Sequence, residues 1–153
     1  MKRFDDESGL VNRDSGFVKA ERQEGAQPTE AVVLEMVFPH HTNHLGTLFG
    51  GQALAWMDKA AFVAASRYAR RTVVTGRSEQ VDFKVPVRQG QLVELVARVV
   101  EIGRSSMHVD VDLIAEDLLS GDRRLCTRGR FVMIALDAHG TPTAIPALPI
   151  AAV

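Results

Sequence analysis

The run NHLGTLFGGQALAWMDKAAFVAA, residues 43–65, decides how the rest of the chain is read. From Gly51 onward its side chains are almost all apolar, with no proline to interrupt them, and the pattern predicts a helix from about Gly51 to Ala69. Two glycines open it and one carboxylate, Asp58, stands near its middle. The helical neighbours of Asp58, three and four residues away, are Leu54, Ala55, Ala61 and Phe62, all apolar. A carboxylate on such a face is costly unless something compensates it. Two readings follow. Asp58 lies on a thin solvent-facing line with Lys59, or it is a general base or nucleophile held at a water-excluded subunit interface.

The loop before the helix bears on that choice. Gly50-Gly51 allows a tight turn and close backbone packing. It also precedes a helix N-terminus, whose N–H groups lack intrahelical partners and have the helix dipole behind them. Such a group can donate to a carbonyl oxygen that gains negative charge during attack. Seven residues separate Gly51 from Asp58, roughly 10 Å along the axis. One helix therefore cannot place both groups on one carbonyl carbon, whereas two antiparallel helices across a dimer can. Asn43 lies just upstream, either as a turn-forming residue or as an amide that orients water or the carbonyl. His40, His41 and His44 form a cluster whose spacing matches no zinc motif, and no cysteine or acid accompanies it, so loop histidines without metal are expected.

Further out, EAVVLEMVFP reads as a strand before the loop. After the helix come RRTVVTGRSEQVDFKVPVRQG, with a turn at Arg88-Gln89-Gly90, and the long strand QLVELVARVVEIG. In SSMHVDVDLIAED, Met107, Val109, Val111, Leu113 and Ala115 share one face, and His108, Asp110, Asp112 and Glu116 the other. LCTRGRFVMIALD is a last strand, and GTPTAIPALPIAAV an irregular, proline-rich end. A strand, a long helix, then three or four antiparallel strands in hairpin sequence make an α+β domain with one sheet face to cover. The helix, apolar nearly all round, is expected to be enclosed by the curling sheet, and the sheet to continue across a subunit boundary. Two segments suit an anion: Arg77-Ser78, and Gly103 with Arg104, Ser105 and Ser106. A phosphorylated carrier fits both.

The chain's 153 residues suit one domain plus a tail. Residues 1–29 carry most of the twelve charges found in the first thirty positions, which predicts a flexible polar tail with a short helix around Phe17 to Arg22, ahead of one domain over 30–153. A net charge of −1 gives no case for nucleic acid or an anionic membrane. Asp58-Lys59 interrupts the longest apolar segment, against a membrane span, and residues 1–16 hold no apolar run of signal-peptide length. A single cysteine, Cys126, excludes an internal disulfide and fits a cytoplasmic location; it reads as packing.

TNHLGTLFGGQALAWMD followed by VDFKVPVRQGQLVELVARVVEIGRSSMHV resembles the hotdog-fold acyl-CoA thioesterases, in particular the bacterial short-chain and brain-type acyl-CoA hydrolases, over roughly residues 31–146. The resemblance implies a hotdog fold, a long helix wrapped by an antiparallel sheet, in homodimers that often build hexamers as trimers of dimers. It implies that Asn43 and Asp58 form a site drawn from opposing subunits, that Gly50-Gly51 lies at the oxyanion position, and that the Gly103–Ser106 segment lines the coenzyme A channel. Coenzyme A would be part of substrate and product, with no separate cofactor and no metal. Two alternatives stand beside hydrolysis. A hotdog 3-hydroxyacyl dehydratase pairs a loop histidine with a helix acid, and His44 stands fourteen residues before Asp58, but its loop carries prolines and its helix usually Glu. A non-catalytic acyl-CoA sensor has no need of Asp58.

Overall fold

A computed structural model describes residues 16–20 and 27–146. In chain order these form β1 (Val18–Lys19), β2 (Glu30–Met36), α1 (Gly50–Ala69), β3 (Thr72–Phe83), β4 (Leu92–Ile102), β5 (Ser106–Glu116) and β6 (Arg123–Leu136), with a single 3-10 turn at Pro39–His41. All pairings are antiparallel. β4, β5 and β6 form the middle of the sheet, β1 and β2 share the outer side of β4, and β3 pairs with β6 at the far edge.

That last pairing departs from the simple hairpin order expected for the strands after the helix. β2 lies at one edge; α1 crosses the concave face to the other, where β3 begins. Residues 84–91 then return to start β4 beside β2, held on the way by Leu48 N donating to Val87 O at 2.7 Å and Val37 N to Gln91 O at 3.1 Å. Gly90, at φ 88°, makes the final turn.

The expected alternation of β5 is present throughout, with Met107, Val109, Val111, Leu113 and Ala115 buried against the helix. Ala53, Ala60, Ala61, Ala64 and Ala65 let α1 sit close to the sheet, and Met57 is fully buried over β6. Gly129 permits that approach: a Cβ there would lie 2.9 Å from Val81 and 3.3 Å from the Met57 methyl. The helix ends at Arg70, whose left-handed backbone donates its N–H to Ser66 O at 2.9 Å.

One expectation needs correction. Val18–Lys19 is a strand rather than part of a short helix, because β4 runs beyond β2 and leaves hydrogen-bonding groups for it: Val18 pairs with Ile102, and Ala20 N donates to Val100 O at 3.0 Å. Residues 1–15 and 21–26, the rest of the predicted tail and its helix, lie outside the described residues, as do 147–153. The expected packing of one long helix against a curved antiparallel sheet is observed, and the sheet leaves one stripe of α1 open. Gly51, Ala55, Lys59 and Phe62 form an exposed stripe down the helix, spaced three or four residues apart. The strand beside this stripe is equally open, since only Val73 of the twelve residues of β3 is buried.

Candidate active site

Asp58 lies on that open seam, half-buried, beside the exposed Lys59 and Ala55. Within one chain the solvent-facing reading is therefore the observed one. The carboxylate is nevertheless held: Thr75 Oγ1 of β3 donates to Asp58 Oδ1 at 2.5 Å. Lys59 turns away to Glu35 Oε1 at 2.8 Å, so the ammonium next in sequence is engaged elsewhere. Thr75 went unremarked in the sequence because a threonine on a strand is ordinary. The signal available was Asp58 itself, which needs a donor from whichever strand follows the helix.

Asn43 is fixed in its loop by three donors to one oxygen. Leu45 N at 2.9 Å, Thr47 N at 3.2 Å and Thr47 Oγ1 at 3.1 Å all donate to Asn43 Oδ1, so the turn-forming role is observed and the orientation of the amide is set by the network. The NH2 group is what remains to meet a ligand. Gly46, at φ 74°, closes this turn, its N–H donating to Asn43 O at 3.1 Å.

The loop then delivers the helix N-terminus. Phe49 caps it in extended conformation, its N–H donating to His41 O at 2.9 Å while its carbonyl accepts from Gln52 and Ala53, both at 3.0 Å. The N–H groups of Gly50 and Gly51 have no partner among the described residues, as the first donors of a helix should not. A Cβ at Gly51 would lie 2.7 Å from the Phe49 ring, so glycine lets that ring fold over the first turn. Beside Gly50 opens a pocket of about 240 Å³, walled by Leu48, Ala53, Phe83, Pro86, Val87 and Thr127. Sequence reasoning had no access to this pocket, because its walls come from three separated segments.

His40 and His41 touch, with ring centroids 3.9 Å apart, but the three histidines differ in role. His40 and His44 are exposed, whereas His41 rests edge-on against Trp56, ring centroids 4.9 Å apart, and its Nδ1 accepts from Phe38 N at 3.0 Å. His41 thus packs the loop onto the helix. No group of three or more His, Cys, Asp or Glu among the described residues is arranged to hold a metal. Cys126 is buried, and burial pushes its thiol pKa up, away from the reactive thiolate.

The expected anion-binding segments are not brought to the glycines within one chain. Gly103–Ser106 is a tight turn, with Gly103 N donating to Ser106 O at 2.8 Å, at the end of β4 opposite the helix N-terminus. The length of β4 lies between them, on the order of 30 Å. Arg104 is exposed there and Ser105 and Ser106 are half-buried. Arg77 and Ser78 are exposed on β3 just past Thr75, but the Arg77 guanidinium is paired with Glu79 at 2.7 Å.

Residues 45–121 match the family model of the thioesterase superfamily. The chain is also 38% identical over 118 residues to an acyl-CoA thioester hydrolase of Bacillus subtilis, covering 77% of this chain and 69% of that one. The chain belongs to the thioesterase superfamily. Among solved structures, this thioesterase-superfamily chain is similar to an acyl-CoA hydrolase of Staphylococcus aureus in complex with butyryl coenzyme A, at 34% identity and a TM-score of 0.74 over 77% of this chain and 72% of that one. It is also similar to a hexameric acyl-CoA thioesterase, at 38% identity and a TM-score of 0.75 over 78% of each chain. The hotdog fold expected from the sequence is the fold observed. Alanine variants of the S. aureus hydrolase have been solved at an asparagine, an aspartate and a threonine, separated by fifteen and then seventeen residues. Asn43, Asp58 and Thr75 stand at the same intervals.

Proposed function

We propose that this chain hydrolyses acyl-CoA thioesters to free acid and coenzyme A, at a site shared between two subunits. Family membership and the hydrolases it resembles support the reaction class. The observation that carries the site is a half-buried carboxylate, fixed by Thr75 on an uncovered seam, roughly 10 Å along the same helix from unpartnered N–H groups. A second copy packed antiparallel on that seam, with its β3 against this β3, would bring the helix N-terminus of one chain towards Asp58 of the other. It would also bring the Gly103–Ser106 end of one chain nearer the partner's glycines, so that Arg104, Ser105 and Ser106 can meet coenzyme A phosphates. The hexameric relative makes a trimer of such dimers a reasonable higher assembly.

In such a site the thioester oxygen accepts from Gly50 or Gly51 N–H and from the Asn43 amide. Asp58 takes a proton from water as the water oxygen bonds to the carbonyl carbon. The tetrahedral oxyanion, held by the same donors, collapses and expels the coenzyme A thiolate, which receives the proton back from Asp58. Alternatively the Asp58 carboxylate attacks directly, the thiolate leaves, and water opens the resulting anhydride. Both routes need the same carboxylate, unprotonated and held by Thr75.

Thiol release from a panel of acyl-CoA esters, acetyl to palmitoyl, tests the reaction; a folded oligomer silent across the panel would refute it. Water loss from a 3-hydroxyacyl substrate, monitored alongside, tests dehydration. Sharing of the site is tested by mixing Asp58→Asn chains with Asn43→Ala chains. A heterodimer then has one doubly damaged site and one intact site, and should regain up to about half of the wild-type rate. If tagged chains prove exchange and the rate stays at that of the parents, both residues act within one chain.

A further inference from the structure

The side chains lining the pocket beside Gly50 are apolar except at one position. Thr127 on β6 is only 2% exposed and is the one buried polar residue among those described. It lies opposite Leu113 on one side and Phe83 on the other. Leu113 is fully buried, and the neighbouring Arg128 points outward to Asp112, so the Thr127 side chain is on the core face of the sheet.

Its hydroxyl makes no hydrogen bond among the described residues. Among the described residues, the fully enclosed side-chain polar atoms without a partner are Ser66 Oγ and His108 Nδ1, and Thr127 Oγ1 is not with them. The oxygen therefore opens onto free space, and the free space that Thr127 lines is this pocket. Valine has the same shape and would fill the position without the cost of stripping water from a hydroxyl. A hydroxyl facing an otherwise apolar wall becomes favourable when something polar enters.

We propose that this pocket receives the acyl group, and that Thr127 selects acyl chains bearing a hydroxyl or carbonyl oxygen over plain alkyl chains. The inference rests on the thioester-hydrolysis reading above and adds its substrate class. Gly50 lines the pocket, so an acyl group within it starts at the proposed oxyanion donor. At about 30 Å³ for each water-sized group, the pocket holds about eight, which suits a short chain. A threonine hydroxyl both donates and accepts, so it serves a hydroxyacyl and an oxoacyl chain alike.

The test compares kcat/KM for butyryl-, 3-hydroxybutyryl- and acetoacetyl-CoA in the wild type, Thr127→Val and Thr127→Ser. Using preference ratios removes differences in intrinsic thioester reactivity. Thr127→Val should lower the ratio of at least one oxygenated substrate to butyryl-CoA by about fivefold, the worth of one net hydrogen bond; the substrate that responds identifies hydroxyl or ketone. Thr127→Ser should keep the wild-type ratio. Thr127→Ala, which removes the hydroxyl without adding bulk, should behave as Thr127→Val does and serves in its place should valine fold poorly. Unchanged ratios in the hydroxyl-free variants, with butyryl-CoA still hydrolysed by the wild type, overturn the proposal and leave the thioesterase reading standing. A wild type that hydrolyses none of the three nor any of the wider panel removes that reading, and the proposal falls with it.

Discussion

The centre of the sheet and the α1–β3 seam are built from the same alternating chemistry and end in opposite states. In the centre, the inner residues of β5 are all buried and its outer carboxylates are paired across the strands. Asp112 holds Arg128 at 2.7 Å, Asp110 holds Arg130 at 2.7 Å, and Glu94 and Glu116 share Arg123 at 2.8 Å each. Along the seam, Phe62 is 45% exposed, Val74 42% and Phe83 53%, and the outer hydrogen-bonding edge of β3 has no neighbouring strand among the described residues. A 12-residue open edge flanked by apolar side chains is a surface that proteins normally cover or blunt. The centre is where the chain satisfies itself, and the seam is where it needs something else. The carboxylate of Asp58, held by the Thr75 hydroxyl, lies in the seam.

The contrast predicts that substitutions in the two regions fail in different ways. Asp58→Asn should lower kcat by about 10²–10⁴ while the thermal midpoint stays near that of the wild type. A near-wild-type rate would make Asp58 structural. Leu95→Ala, in the fully buried centre, should instead cost about 2–5 kcal/mol of stability, seen as a lower denaturant midpoint. Thr75→Val should lower kcat by roughly tenfold through loss of a hydrogen bond to a charged group. If Thr75→Ser restores the rate, the hydroxyl and not the side-chain volume is responsible. Arg98→Ala, on the outer face and paired among the described residues only with Glu30 at 3.1 Å, should change stability by less than about 1 kcal/mol. A larger loss there would mean that the outer face is also an interface.

What was legible in the sequence was local. The start of the helix follows from Gly50-Gly51, and the inner face of β5 from strict alternation between Met107 and Ala115. Asp58, Asn43 and the glycines stood out because each is locally unusual. Pairing of β3 with β6 was not legible, because the run from Thr72 to Phe83 has the same character whichever strand lies beside it. β1 was hidden in a polar stretch and is ordered by the part of β4 that extends past β2. Thr75 and Thr127 look alike in sequence; only tertiary structure gives one a carboxylate and the other a pocket. The fold and the reaction class were also implied by the family resemblance, which rests on the spacing of the loop, helix and turn motifs.

The three donors that occupy Asn43 Oδ1 have a consequence for how this protein ages. An aspartate at position 43 accepts from the same Leu45 and Thr47 groups, so the loop keeps its shape. What changes is the other end of the side chain, where a donor becomes a second anionic oxygen facing whatever enters. Deamidation of Asn43 to aspartate would therefore keep the loop's hydrogen bonds while inverting the polarity the loop presents to a carbonyl. A stored sample could pass every structural test and still have lost its activity.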